Sequence, residues 1–188
     1  TKTIVKRGVT ELVTPGVSMN DEVLHSKSNN FLASVYFSKK QLGVAFLDVS
    51  TGEFLTSQGN QEYIDKLLQN FQPSEILIQK NNKSDFKSAF GEDFNVFYLE
   101  DWVYKEDYAV ETLTNHFQTN SLKGFGIEEL PDGIIASGAI LYYLSETQHN
   151  KVQHITNIHR IAEDAYVWMD RFTIRNLELY HSHSQNAV

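Results

Sequence analysis

Gly43–Phe54 reads GVAFLDVSTGEF. Val44, Ala45, Phe46, Leu47 and Val49 leave no wet side, which predicts a strand buried on both faces at the centre of a sheet. Ser50-Thr51-Gly52 then supplies turn chemistry, two hydroxyls that bond back to the chain and a glycine free to take positive φ. Phe54 opens a second strand. Working outward, Asn29-Asn30 launches a strand over Phe31–Phe37. Ser38-Lys39-Lys40-Gln41 joins it to Leu42–Val49, and Phe54–Ser57 extends the hairpin to a three-stranded meander.

Downstream the period changes. Asn60 is a candidate N-cap for a helix over Gln61–Phe71, where Ile64, Leu67, Leu68 and Phe71 share one face and Pro73 ends the run. Glu75–Gln79 (EILIQ) predicts a short buried strand. Asn81-Asn82 turns the chain, and Ser84 is expected to cap a short helix carrying Phe86 and Phe90, closed by Gly91. Asn95–Leu99 predicts another strand. A helix over Tyr104–Phe117 is expected to bury Ala109, Leu113 and Phe117, leaving Glu106, Glu111, Thr114 and Asn115 to solvent. This is an α/β pattern: an antiparallel meander plus helix–strand repeats, the element order of ribonuclease H-like folds.

Ser121–Asp132, with Gly124, Gly126 and Pro131, reads as a loop between architectures. Gly133–Thr147 then predicts a long helix apolar nearly all round, with Ala136-Ser137-Gly138-Ala139 allowing another helix to approach closely. Residues 151–169 suggest extended segments, and Asp170 an N-cap. The expected boundary lies near 118–130, followed by the mainly helical start of a second domain. Upstream, Ile4-Val5 and Leu12-Val13 are strand-like, Pro15-Gly16 turns the chain, and Asp21–Leu24 suits one helical turn. The opening TKTIVKRG lacks methionine and the stripe of Ile174 and Leu177 is still open near Val188, so a segment of a longer polypeptide is expected.

The 188 residues are 41% hydrophobic and 12% aromatic, enough for a sizeable core. A net charge of −8 argues against a dedicated nucleic-acid grip. Without cysteine there is no disulfide framework and no thiolate metal site. No apolar run reaches the length of a membrane span.

Chemistry-bearing patterns are sparse. Asp48 ends a buried strand before Ser-Thr-Gly, and actin-like phosphotransferases and ribonuclease H-type nucleases place acids on strands in this way. Such chemistry needs partner acids, and the candidates are Glu75, Glu100 and Asp101. The plainer role is an aspartate capping its own turn. His149, His154 and His159 are five apart, which suits neither a helix face nor a strand face. His181 and His183 lie in a helical context, and no metal site is assigned. Lys39-Lys40, Lys80 and Lys83 read as solvated turn charges. The aromatic residues coincide mostly with core positions, so no stacking platform is indicated. Two readings remain open, a non-catalytic coupling module and a nuclease or phosphotransferase domain using Asp48. A cluster of carboxylates around Asp48 would favour the second.

Several stretches in order resemble the MutS family of bacterial DNA mismatch-recognition proteins. These are RGVTELVTPGV (Arg7–Val17), LDVSTGEF (Leu47–Phe54), PSEIL (Pro73–Leu77), LKGFGIE (Leu122–Glu128) with the helix after Pro131, and MDRFTIRNLEL (Met169–Leu179). The resemblance implies a linker over 1–7, a ribonuclease H-like connector over 8–117, a linker over 118–130 and the start of a helical core or lever domain over 131–188. It implies a parent protein that is a homodimeric, cytoplasmic, nucleoid-acting ATPase using ATP and Mg²⁺, which binds mismatched DNA and recruits MutL. The mismatch wedge and nucleotide motifs would lie outside this segment, so no catalytic, nucleotide or metal residue is assigned. The expected partner face is the outer side of the Tyr104–Phe117 helix, at Glu111, Thr112 and Asn115. Gly16, Gly124 and Gly126 are the candidate hinges.

Overall fold

The computed structural model describes residues 30–148 and 152–161. The meander is present as β1 (Phe31–Phe37), β2 (Leu42–Asp48) and β3 (Glu53–Gly59). After it come α1 (Gln61–Phe71), β4 (Glu75–Gln79), α2 (Lys83–Phe90), β5 (Val96–Leu99), α3 (Glu106–Phe117), α4 (Pro131–Gln148) and β6 (His159–Arg160). The sheet runs β5-β4-β1-β2-β3-β6. β1, β2 and β3 pair antiparallel, while β4 joins β1, β5 joins β4 and β6 joins β3 in parallel. All seven residues of β2 are buried, as its two-faced apolar run requires.

Alternation along the strands sends side chains into two cores. On one face Phe31, Ala33, Val44, Phe46, Ile76 and Ile78 pack with Ile64, Leu67 and Leu68 of α1 and Phe86 of α2. Phe31, Phe46 and Phe71 form an aromatic trio there, with Phe46 stacked on Phe71 at 4.4 Å. On the other face Leu32, Ala45, Leu47 and Leu77 pack with α3 and α4. The fold is therefore a helix–sheet–helix sandwich. Asn60 caps α1 as expected, accepting from the Tyr63 N–H at 2.8 Å. Gln72, at φ 45°, closes it directly before Pro73. Ser84 lies inside α2 instead of capping it, and Asn82, the residue before the helix, offers no side-chain cap. The Tyr104–Phe117 segment divides into a 3₁₀ turn, Asp101–Tyr104, and α3.

The larger correction concerns α4. The division expected near 118–130 does not separate two cores, because α4 lies on the sheet itself. A Cβ on Gly43 would stand 2.0 Å from the Asp132 carbonyl oxygen, and one on Gly133 2.7 Å from the Thr56 hydroxyl. The Asp132 carboxylate accepts from the Ser38 hydroxyl at 3.1 Å and the Gln41 amide at 2.9 Å, which fastens the start of α4 to the β1–β2 connection. Farther along, a Cβ on Gly138 would meet Ala109 of α3 at 2.6 Å, so the expected close helix approach is present. Of the extended segments expected over 151–169, the described part contributes β6, whose following residue Ile161 donates to the Thr56 carbonyl at 2.9 Å. Asp170 and the elements expected before Asn30 lie outside the described residues.

A helix-interior glycine costs about 1 kcal/mol against alanine in propensity alone, so packing must account for Gly138. We expect Gly138→Ala to destabilise the chain despite that propensity gain. Gly43→Ala should cost about 3 kcal/mol or more by overlap with backbone. Gly124→Ala, with open space around it, should stay within about 0.5 kcal/mol of the parent in urea denaturation.

Candidate functional site

The register decides what Asp48 can do. Asp48 pairs with Phe31 and Glu75 with Leu32. Phe31 and Leu32 are consecutive on β1 and belong to opposite cores, so the two acids leave the sheet on opposite faces. Asp48 is buried, and its Oδ1 accepts from the Ser50 N–H at 2.8 Å, the Ser50 hydroxyl at 2.6 Å and the Thr51 N–H at 3.3 Å. It caps its own turn, which Gly52 completes by donating to the Asp48 carbonyl at 2.8 Å. Glu75, buried on the α4 side, accepts from the Tyr143 hydroxyl at 3.4 Å. Glu100 and Asp101 follow β5, which runs parallel to β4, so they stand at the opposite end of the sheet from Glu75. Among the described residues no three His, Cys, Asp or Glu side chains gather as a metal site.

Two histidines act as ties. The Nε2 of His154 is 2.6 Å from the Val49 carbonyl and that of His116 is 2.8 Å from the Ile155 carbonyl. A carbonyl only accepts, so both rings donate. They hold the segment leading to β6 against the central turn and α3. His159 is exposed on β6, and His149, His181 and His183 lie outside the described residues.

Glu111 and Asn115 are exposed on α3, and Thr112 is half-buried with its hydroxyl donating to the Tyr108 carbonyl at 2.8 Å. With Tyr108 they fall at i, i+3, i+4 and i+7, one side of the helix. Phe117, expected in the core, is half-buried against Phe125, 4.7 Å between rings. Tyr108 brings in residues that periodicity did not single out. Trp102, 45% exposed, meets Tyr108 edge-on at 5.1 Å and Tyr142 of α4 at 5.2 Å, and the two tyrosines meet at 6.1 Å. Phe97 and Tyr98 of the edge strand β5 are each 39% exposed. The assignment of aromatic residues to the core therefore fails on this side of the molecule. The signal was local: Trp102 stands inside the short turn Asp101–Tyr104, next to an acid and outside any helical or strand period. Burial raises the Tyr142 hydroxyl pKa above its ordinary value, and the negative Glu146, then Tyr108 and Glu100, add to the rise.

Of the hinge candidates, Gly126 takes φ +67° and closes the 3₁₀ turn Leu122–Phe125. Gly124 sits within that turn. Both lie between α3 and α4, which are in contact at Ala109 and Gly138, so motion there has to part that contact. Gly16 lies outside the described residues.

The family model described as MutS domain II matches residues 30–156. Proteins named DNA mismatch repair protein MutS from Flavobacterium psychrophilum and Flavobacterium johnsoniae are 85% and 81% identical over 188 residues, all of this chain. The protein of that name from Bacteroides thetaiotaomicron is 59% identical over 182 residues, 97% of the chain. This chain spans 22% of the length of each flavobacterial relative and 21% of the third.

The role of Asp48 can be measured directly. Asp48→Ala removes the acceptor for two backbone N–H donors and a hydroxyl of the exposed Ser50-Thr51 turn, which should cost about 0.5–1.5 kcal/mol of stability. Millimolar Mg²⁺ or Mn²⁺ should leave the melting temperature of the unsubstituted chain unchanged. Stabilisation by either ion that disappears in Asp48→Ala would restore the catalytic reading.

Proposed function

Because this chain belongs to the MutS family, with the MutS domain II match covering residues 30–156, we propose that it is the connector part of a longer mismatch-repair ATPase. Its work is mechanical. It couples mismatch recognition at one end of the parent to nucleotide-driven rearrangement at the other, and performs no chemistry itself. The observation that carries this reading is the single packed body of sheet, α3 and α4. An element that transmits a displacement must not absorb it, and close-packed interiors deform little.

The order β3-β2-β1-β4-β5, with three antiparallel strands followed by two parallel ones, supports a ribonuclease H-like assignment. Fold alone brings no nuclease activity, and the separation of Asp48 from Glu75 supports the non-catalytic reading. In this proposal the connector body includes α4 and reaches the strand at His159–Arg160. The helical core domain then begins after it, and the linker from the mismatch-binding part precedes it. Gly16 remains the hinge candidate on the entry side, and Gly124 and Gly126 act as hinges only if α3 leaves α4. ATP and Mg²⁺ bind elsewhere in the parent, which works as a homodimer on mismatched DNA in the cytoplasm.

The outer side of α3 is the proposed docking face for MutL, through Glu111, Thr112 and Asn115. In the full-length parent, Glu111→Arg with Thr112→Arg should lower MutL recruitment to ATP-loaded, mismatch-bound complexes by about tenfold or more, because mismatched interfacial charge costs a few kcal/mol. Mismatch affinity and ATPase rate should hold. Recruitment equal to the parent's would remove α3 from the interface.

A further inference from the structure

We infer that the surface made by Trp102, Tyr108 and Tyr142, bordered by Glu100 and Glu146, takes an arginine- or lysine-bearing segment of a partner protein. The three rings form a cluster in which each meets the other two edge-on, at 5.1, 5.2 and 6.1 Å. They come from three elements, the 3₁₀ turn Asp101–Tyr104, α3 and α4. Trp102 is the most exposed of the large apolar side chains among the described residues, at 45%. A tryptophan held by two neighbours yet open to water offers a rigid contact with little side-chain entropy left to lose on binding.

The charge around the rings selects the occupant. Residues 100–111 carry five carboxylates, Glu100, Asp101, Glu106, Asp107 and Glu111, against one cation, Lys105. Glu146 stands four residues after Tyr142 on the same side of α4, and Glu100 directly precedes the turn that carries Trp102, so both border the cluster. Glu100 shares an exposed ion pair with Lys80 at 3.3 Å, whereas Glu146 has no ion-pair partner among the described residues. A phosphate backbone is repelled by such a rim. A guanidinium or ammonium gains both the carboxylates and the negative faces of the rings. The inference goes beyond the MutL assignment, since it specifies the chemistry of the contact whichever protein supplies it. Its test alters Trp102, Glu100 and Glu146, none of which belongs to the proposed MutL contact.

The test uses the full-length parent and short fluorescent glycine–serine peptides carrying arginine, lysine, citrulline or glutamate, read by anisotropy. Saturable binding of the arginine and lysine peptides is expected, with none for citrulline or glutamate. Trp102→Ala should weaken it by about fivefold or more, the scale of one cation–π contact. The double substitution Glu100→Gln with Glu146→Gln leaves the rings in place, and should weaken binding severalfold and flatten its salt dependence. Absence of saturable binding, equal binding of arginine and citrulline peptides, or indifference to both variants would overturn the inference. So would competition by duplex DNA, or self-association of the parent lost in Trp102→Ala, which would make the occupant a second copy.

Discussion

The approach of α4 to the sheet is the constraint on which the rest of the structure depends. At Gly43 and Gly133 there is no room for a side chain between helix and strand, and at Gly138 none between α4 and α3. Glycines let the backbones close until the carbonyl of Asp132 stands over β2. Larger residues then close the core on either side: Ile134, Ile135, Ile140, Leu141 and Leu144 from α4, Leu32, Ala45 and Leu47 from the sheet. The helix is buried nearly all round because a different neighbour meets each of its sides: β2 and β1, α3, and the turn at Asp101–Tyr104. Asp132 fixes its first turn to the hairpin connection through Ser38 and Gln41.

That arrangement organises the surface as well as the core. With α4 docked, Tyr142 is presented beside Trp102 and Tyr108, although the three residues lie on separate elements. Tyr104, in the same turn as Trp102, goes the other way. It is buried, stacked on Tyr36 at 6.1 Å, with its hydroxyl 3.3 Å from that of Ser34, and burial pushes its pKa well up. One short turn thus directs one aromatic side chain into the core and another to solvent. The buried one anchors the turn, and the exposed one is held in place as a consequence.

The same sheet explains why the acids do not assemble. Period-two alternation sends neighbouring residues of β1 to opposite faces, and the registers of β2 and β4 against β1 carry Asp48 and Glu75 with them. A two-metal centre needs carboxylates converging on one side. Here one acid organises a turn and the other accepts from Tyr143. The histidines likewise stabilise local geometry, with His116 and His154 each donating to a main-chain carbonyl.

By itself the sequence determined the elements whose signals are local. The bounds of β1 and β4, the cap at Asn60, the stop before Pro73 and the Asp48 turn follow from period, capping and turn chemistry within a few residues. The small-residue run Ala136–Ala139 likewise announced a close helix contact. The tertiary structure alone decided what α4 packs against, because an all-round apolar helix carries no directional stripe to show what covers it. It alone separated Asp48 from Glu75, because strand register is a relation between distant segments. It alone exposed Trp102, because a residue's burial depends on whether other elements happen to cover it. Here α3 and α4 pack against each other at Ala109 and Gly138, while the indole of Trp102 stays at their margin.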